Sequence, residues 1–235
     1  MLHTIYRFYG VLGLSMDDAY ILSHVDHTLL AATATWGDID KLCNEAIKYK
    51  TASVCIPPCY VKRIRAVHQS LNICTVVGFP LGYDIIAAKA VTAQTSVTEG
   101  ADEIDMVINL TDVKNGEFAI VETEIKVLKQ IIGQKILKVI IETCYLTEEE
   151  KIAMCKIVTD SGADYIKTST GFGTAGATIE DIELFKAHVG PDVKIKAAGG
   201  IRTREDLVAF LEAGCSRIGT SSAVKLLTGG DAGAY

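Results

Sequence analysis

Charged side chains interrupt three short apolar runs of the sequence. Asp105 lies in EIDMVIN, Lys167 in YIKTST and Lys196 in KIKAAGG. In an extended strand successive side chains point to opposite faces, so each charge takes the face opposite its apolar neighbours. This alternation predicts that the three charges point away from the helix-packed side of a sheet, with Asn109 and Lys194 on the same face.

Two lysines beside one carboxylate suggest amine chemistry. A lysine nucleophile must be neutral, and an ordinary pKa near 10.4 leaves about one part in a few thousand neutral at pH 7. A neighbouring ammonium and loss of solvent both favour the neutral amine, so Lys196 can activate Lys167, or the reverse. The same pattern also fits a structural ion network in a protein core.

Four further charged residues are interpreted as structural. Lys138 and Glu142 share one face of KVIIET, and we expect them to pair with each other. Asp102 and Asp164 fall where strands begin, which in barrel folds is the end that contributes stability rather than catalysis.

Small residues follow the last three apolar runs, in the segments TGFG at 170–173, GGIR at 199–202 and GTSS at 219–222. Adjacent glycines let backbone amides approach an oxyanion, and the start of a helix adds positive potential. Barrel enzymes commonly bind phosphate after strands seven and eight. Each segment alone is typical of a plain turn, but together they predict a phosphate site.

These residues require a fold that places the ends of several strands side by side. Eight β-branched runs alternate with stretches of helical periodicity from about residue 24 onward, which predicts an α/β fold, a single (β/α)8 TIM barrel. A short helix within residues 15–23 is expected to cap the N-terminal end of the barrel. A doubly wound sheet is the alternative, but LLAATAT after the first run lacks a glycine-rich dinucleotide turn. The predicted strand ends lie near Thr28, Pro57, Pro80, Asn109, Thr143, Thr170, Gly200 and Ser222, and the predicted helix caps are Thr35/Asp38, Thr147/Glu150, Thr178/Asp181 and Thr203/Asp206.

Composition narrows the class of protein. The 235 residues include 23 Lys+Arg and 29 Asp+Glu, a formal net charge of −6, which argues against a nucleic-acid partner. No apolar stretch is long enough to span a membrane. The 7 cysteines are scattered and odd in number, which predicts reduced thiols in a cytoplasmic protein. The segment CIPPC lacks a second pair of ligands for a metal.

Residues 1–15 are interpreted as an N-terminal extension, disordered or introduced by cloning, and residues 16–235 as the barrel with a mobile tail at 229–235.

The ordered motifs resemble those of the deoxyribose-phosphate aldolase family. KTSTG at 167–171, KAAGGIRT at 196–203 and GTSS at 219–222 carry the likeness, with ADEID at 101–105 and DHTLL at 26–30. The resemblance runs from about residue 16 to the end of the chain. It implies a class I, Schiff-base aldolase without cofactor or metal that reversibly cleaves 2-deoxy-D-ribose 5-phosphate to acetaldehyde and D-glyceraldehyde 3-phosphate in deoxyribose phosphate catabolism.

The resemblance also implies residue roles. Lys167 is the Schiff-base lysine, Lys196 the partner that lowers its pKa, and Asp105 the proton-relay carboxylate. The implied phosphate contacts are Gly171, Gly199, Gly200, Gly219, Ser221 and Ser222, and the implied supporting residues are Asp26, Thr28, Thr170, Arg202 and Tyr235. Tyr235 is expected either to fold over the site or to be a frayed end. The expected partners are a sugar phosphate, aldehydes and a second copy of the chain, in a homodimer or other homo-oligomer.

The chain departs from the family pattern at a few positions. Phe172 stands where some members carry lysine, so phosphate binding is expected to rely more on backbone amides and on Arg202. Pro57 and Ala198 replace the Asn and Ser expected in many members. Two alternatives remain: a Schiff-base barrel aldolase for another sugar phosphate, which need not have a second lysine, and a non-enzymatic scaffold, which has no reason to keep three inward charges.

Overall fold

The computed structural model describes residues 16–229, in which eight parallel strands follow one another around a closed barrel. Each strand pairs with the next, and β8 returns to β1 with Ile218 opposite Val25. The predicted (β/α)8 barrel is therefore confirmed. The strands are Val25–Thr28 (β1), Ser53–Ile56 (β2), Ile73–Val77 (β3), Glu103–Val107 (β4), Ile136–Ile140 (β5), Tyr165–Lys167 (β6), Lys194–Ala198 (β7) and Arg217–Thr220 (β8).

Most strands end one to three residues earlier than the sequence suggested. The small and polar residues after each apolar run leave the ladder for turns. Lys167 is therefore the last residue of β6, directly at the carboxyl-terminal mouth of the barrel, whereas Lys196 lies in the middle of β7.

Helices connect the strands and cover the outside of the barrel. They span Trp36–Tyr49, Val61–Val67, Ile86–Glu99, Leu110–Lys114, Phe118–Ile132, Glu148–Asp160, Ile179–His188, Arg204–Ala213 and Ala223–Thr228, with 3-10 turns at Pro58–Tyr60 and Thr143–Tyr145. The four predicted caps are present, as capping boxes in Thr35/Asp38, Thr147/Glu150 and Thr203/Asp206 and as a single side-chain bond in Thr178/Asp181. These bonds satisfy amides that the first turn of a helix leaves unpaired.

A short helix, Asp18–Leu22, precedes β1 at the N-terminal end of the barrel, as predicted. It buries Ile21 and Leu22 in the main core. Arg204 holds it from outside, because its Nε lies 3.0 Å from Asp18 Oδ1.

Ion pairs surround the N-terminal ends of the strands, which confirms the structural interpretation of two aspartates. Asp102 accepts bonds from Arg65 and from Lys135, and Asp164 accepts one from Lys129. Lys194, which the alternation also assigns to the inner face, occupies the exposed first position of β7. Its Nζ lies 5.7 Å from the centre of the Tyr165 ring, which Arg217 of β8 also approaches.

The parts of the chain outside the described residues include two predicted features. The proposed extension at residues 1–15 and the tail beyond residue 229, with Tyr235, both lie there. Within residues 16–229, no helix has the length and apolar character that crossing a bilayer demands.

Candidate active site

Asp105 on β4 is the centre of a buried charge cluster. Its Oδ2 accepts bonds of 2.7 Å from Lys167 Nζ and 2.7 Å from Lys196 Nζ. Its Oδ1 accepts a bond of 2.8 Å from Lys138 Nζ. The strand register explains this meeting, because Lys167 on β6 lies directly opposite Lys196 on β7, and Asp105 lies opposite Lys138 on β5.

Two more carboxylates and a guanidinium extend the cluster towards β1 and β8. Asp26 on β1 accepts bonds of 2.5 Å from Lys196 Nζ and 2.5 Å from Arg217 Nη1. Glu103 on β4 lies 2.5 Å from Lys138 Nζ and 3.1 Å from Arg217 Nη1. Among residues 16–229 the cluster thus joins three carboxylates to four basic side chains, all of them buried. Buried charges are tolerated only when they are paired in this way.

The electrostatics keep most of these groups charged. Burial opposes ionisation of Asp105, but the ammonium groups of Lys138, Lys167 and Lys196 hold the pKa of its carboxyl well below its usual range. Burial likewise disfavours the Lys196 ammonium, but the carboxylates of Asp105 and Asp26 raise the pKa of this lysine above its usual range. The two carboxylates therefore favour the ammonium form of Lys196 next to Lys167.

Lys167 differs from the other basic side chains of the cluster in its ionic contacts. Three carboxylates face four cations, which leaves one excess positive charge. Lys138 and Lys196 each contact at least two carboxylates, whereas the salt bridges within residues 16–229 give Lys167 Asp105 alone. Lys167 is therefore the amine with the fewest ionic partners in the cluster.

A small apolar cluster lies beside Asp105. It consists of Cys55, Cys74 and Val76 on β2 and β3, packed against Leu30 and Phe79. The Cys74 thiol lies 3.1 Å from Asp105 Oδ1, so the apolar cluster and the charge cluster are in direct contact.

Glycines bring the turns after β6 and β7 into close contact. Gly171 and Gly199 have positive φ values of 87° and 80°. A Cβ on Gly199 would lie 3.3 Å from the Cα of Gly171 and 3.1 Å from the Cα of Gly176. The absence of side chains leaves main chain exposed towards the mouth, which is the arrangement that anion-binding turns use.

The turn after β8 leads into the helix Ala223–Thr228. The Ser222 amide donates to Thr220 Oγ1 over 3.2 Å, and the Ser222 hydroxyl lies 3.0 Å from the same atom. Ser221 is exposed. Both serines are thus at the carboxyl end of β8, on the same face of the barrel as the glycine turns.

Gly219 differs from the other predicted phosphate residues because it lies within β8 rather than in a turn. A Cβ at this position would lie 3.0 Å from Lys196 Cε and 3.2 Å from Ala198 Cβ. The absence of a side chain at Gly219 therefore makes room for Lys196.

Comparison with known proteins assigns the family. A model described as DeoC/LacD family aldolase matches residues 20–230. The chain belongs to this aldolase family.

Relatives named deoxyribose-phosphate aldolase include one from Clostridium botulinum, 62% identical over 221 residues that cover 94% of this chain and 100% of the relative. Another, from Clostridioides difficile, is 56% identical over 217 residues that cover 92% of this chain and 99% of the relative. The solved tetrameric deoxyribose phosphate aldolase of Aeropyrum pernix is 32% identical, covers 94% of this chain and 93% of its own, and superposes with a TM-score of 0.83.

In this DeoC/LacD aldolase, the structure brings together Asp26, Asp105, Lys167 and Lys196 from four strands, in the grouping that the sequence suggested. Thr28 lies at the end of β1, where its hydroxyl donates to the Asp26 carbonyl over 2.7 Å.

The remaining supporting residues are farther from the cluster. Thr170 donates its amide to Glu142 in the turn after β6. Arg202 is exposed in the turn after β7, where its amide donates to Asp206. Their roles towards a ligand stay predictions.

Two expectations about individual side chains are wrong. Lys138 does not pair with Glu142: it binds Asp105 and Glu103, because the register of β4 and β5 places Asp105 directly beside it. Asn109 does not extend into the barrel. Its Oδ1 accepts a bond from Thr111 N and thereby caps the helix Leu110–Lys114.

Sequence reasoning missed Glu103 and Arg217, and it missed that Lys138 belongs to the cluster. Glu103 is two residues before Asp105 and so shares its face of β4, which was a usable signal. Arg217 begins β8 two positions before Gly219, and the same alternation would have placed it inside.

Proposed function

We propose that this aldolase cleaves 2-deoxy-D-ribose 5-phosphate reversibly into acetaldehyde and D-glyceraldehyde 3-phosphate, through a Schiff base on Lys167. The observation that carries the proposal is the contact of both Lys167 and Lys196 with the same Asp105 oxygen, at 2.7 Å each. A nucleophilic amine, a fixed cation and a carboxylate able to relay protons are then within one hydrogen-bonded group. The relatives named above, at 56% and 62% identity, support the substrate.

The chemistry follows from these positions. Neutral Lys167 Nζ attacks the aldehyde carbon of the open-chain sugar, and loss of water from the carbinolamine gives an iminium. The iminium accepts the electron pair of the C2–C3 bond as that bond breaks, once the C3 hydroxyl has given up its proton. D-glyceraldehyde 3-phosphate leaves, and the enamine on Lys167 is protonated and hydrolysed to acetaldehyde. Asp105 is placed to carry the protons, directly or through water, and Lys196 to keep Lys167 neutral.

The phosphate end of the substrate is proposed to bind at the turns after β6, β7 and β8. Gly171, Gly199 and Gly200 supply exposed main chain, and Ser221 and Ser222 supply amides and hydroxyls before a helix. This position agrees with the usual phosphate site of barrel enzymes. An acidic protein can hold an anion there because backbone dipoles and the nearby cations act locally.

We also propose a cytoplasmic homo-oligomer. All 7 cysteines are free, which suits a reducing compartment. The Aeropyrum pernix relative is a tetramer, which supports self-association without fixing the number of subunits for this chain.

The decisive experiment is reductive trapping. Purified protein is treated with acetaldehyde and borohydride, and peptides are mapped by mass spectrometry. We expect rapid ethylation of Lys167, with slow labelling of the exposed Lys194 as an internal reference for ordinary lysines. Cleavage of 2-deoxy-D-ribose 5-phosphate is measured in parallel as acetaldehyde release. Preferential labelling elsewhere would refute the mechanism. Trapping at Lys167 without cleavage of this sugar would indicate an aldolase for another sugar phosphate, and neither reaction would indicate a scaffold.

A further inference from the structure

Glu142, at the carboxyl end of β5, has an unusual backbone. Its φ is 52° and its ψ is 67°, in the left-handed region that side chains other than Gly and Asn seldom adopt. Such a conformation costs on the order of 1 kcal/mol or more and persists only where the surroundings enforce it. The side chain is also 2% exposed. A strained, buried glutamate beside the barrel mouth calls for a specific role.

The carboxylate of Glu142 binds the turn that follows Lys167. Its Oε1 accepts a bond of 3.1 Å from the Thr170 amide, and its Oε2 accepts a bond from the Thr170 hydroxyl. Thr170 Oγ1 in turn accepts a bond of 3.0 Å from the Phe172 amide. These bonds fix the main chain on both sides of Gly171, which carries one of the proposed phosphate-binding amides.

The fit on the other side of the carboxylate is equally close. A Cβ on Gly173 would lie 3.1 Å from both Cδ and Oε1 of Glu142, and 2.9 Å from the Sγ of Cys144. The turn therefore wraps around the carboxylate and leaves no room for one more carbon. Among residues 16–229, no salt bridge includes Glu142, and its hydrogen bonds go to the turn, although the Lys167 ammonium is near enough to act on its carboxyl and to oppose the rise in pKa that burial causes.

We propose that Glu142 is a positioning residue, whose carboxylate holds the turn at residues 170–173 in the conformation that receives the phosphate of the substrate. This inference rests on the proposed function and deepens it. The strain at Glu142 is explained, because the left-handed backbone turns the carboxylate from the barrel wall towards the neighbouring turn. Burial, which raises the pKa of this carboxyl, is tolerated because Thr170 donates two hydrogen bonds to it.

The test uses two variants that disturb the contact from opposite sides. Glu142→Gln replaces one carboxylate oxygen by an NH2 group, which donates hydrogen bonds and so cannot accept the one that Thr170 donates there. Gly173→Ala keeps the Glu142 side chain but adds a Cβ against its carboxylate and against Cys144 Sγ. With two variants, the test does not depend on the folding of either one. Glu124→Gln is the control for loss of a buried carboxylate, because Glu124 has the same 2% exposure but lies in a helix outside the barrel. Its melting temperature should fall, since Lys89 loses its carboxylate partner, while the binding constants stay unchanged. Folding of each variant is checked by thermal melting.

Two readouts separate the turn from the lysine chemistry. The KM for 2-deoxy-D-ribose 5-phosphate and the inhibition constant of inorganic phosphate report on the anion turn. Trapping of Lys167 by acetaldehyde and borohydride reports on the lysine alone, because acetaldehyde carries no phosphate. We expect both test variants to raise KM and the phosphate inhibition constant about tenfold, a loss of about 1.4 kcal/mol. Trapping should stay within about twofold of wild type, and Glu124→Gln should change neither constant.

The outcomes are distinct. If melting temperature falls but KM and phosphate inhibition do not change, Glu142 is structural only and the inference is overturned. If trapping falls as steeply as phosphate binding, Glu142 acts on the whole site and the inference is again overturned. The proposed function itself is judged on the wild type, which must label Lys167 and cleave the sugar, so its failure cannot be mistaken for a failure at Glu142.

Discussion

Replacing Lys196 by methionine should shift the pH dependence of Schiff-base formation on Lys167. The methionine keeps the length of the side chain and removes its charge. Both lysine Nζ atoms lie 2.7 Å from the same Asp105 oxygen, so they are no more than twice that distance apart. Two unit charges about 5 Å apart interact by about 3 kcal/mol at an effective dielectric constant of 20. Because one pH unit corresponds to about 1.4 kcal/mol, this repulsion amounts to about two pH units.

The sign follows from the charges. The Lys196 ammonium disfavours a second ammonium at Lys167, so its removal makes the charged amine easier to keep. Asp105 also loses a competing cation and holds Lys167 more strongly, which acts in the same direction. We therefore expect the pH at which trapping by acetaldehyde reaches half its maximum rate to rise by about two units. Asp26 keeps its 2.5 Å bond to Arg217, which leaves this carboxylate paired in the variant.

The assay is the initial rate of ethylation at Lys167 across a pH series, with cyanoborohydride as reductant. Lys194→Met is the control, because it removes an exposed lysine from the same strand, two positions before Lys196. Its midpoint should match the wild type. A folded Lys196→Met variant whose midpoint moves by less than half a unit, or downwards, would refute the electrostatic reasoning.

Two further predictions concern the same cluster. Gly219→Ala should lower kcat about tenfold and leave KM within about twofold, because the new Cβ would lie 3.0 Å from Lys196 Cε and displace this lysine. An increase in KM with unchanged kcat would instead favour a direct contact between Gly219 and the phosphate. Acid stability should depend on Asp26, since burial opposes its ionisation but Lys138, Lys196 and Arg217 lower the pKa of its carboxyl below the ordinary 3.8. Such a group stabilises the fold above the ordinary pKa and loses that contribution as pH falls further. The free energy of unfolding in urea should therefore fall more steeply below about pH 4 in the wild type than in Asp26→Asn, and equal slopes would contradict this.

The barrel and the central part of its site follow from local sequence patterns. The alternation of side chains along EIDMVIN and YIKTST depends only on strand geometry. It therefore predicts Asp105 and Lys167 on the inner face without reference to any tertiary contact. The Thr/acid caps are equally local, since Thr35 and Asp38 are three residues apart in the same helix.

The features of the site that the sequence does not predict depend on contacts between distant parts of the chain. Lys138 and Glu142 share a face of one run, but Lys138 binds carboxylates on β4 and Glu142 binds the turn after β6, which pairing within a run cannot reveal. The left-handed backbone of Glu142 arises from its fit to the turn at 170–173 and has no signature in its own neighbours. Phe79 and Phe172 meet edge to face with ring centroids 5.4 Å apart, although 93 positions separate them in the chain. Such loop contacts are set by the closed barrel rather than by local preference.

The charge cluster also bears on the order in which the protein acquires activity. The bond from Lys196 to Asp26 joins residues 170 positions apart, and the bond from Arg217 to Asp26 spans 191 positions. Contacts of such high sequence separation form late and slow the folding of a chain. During synthesis, Asp26 leaves the ribosome long before Lys196 and Arg217 exist to neutralise it. Catalytic competence therefore arrives only with the eighth strand, and the appearance of aldolase activity reports that the barrel has closed.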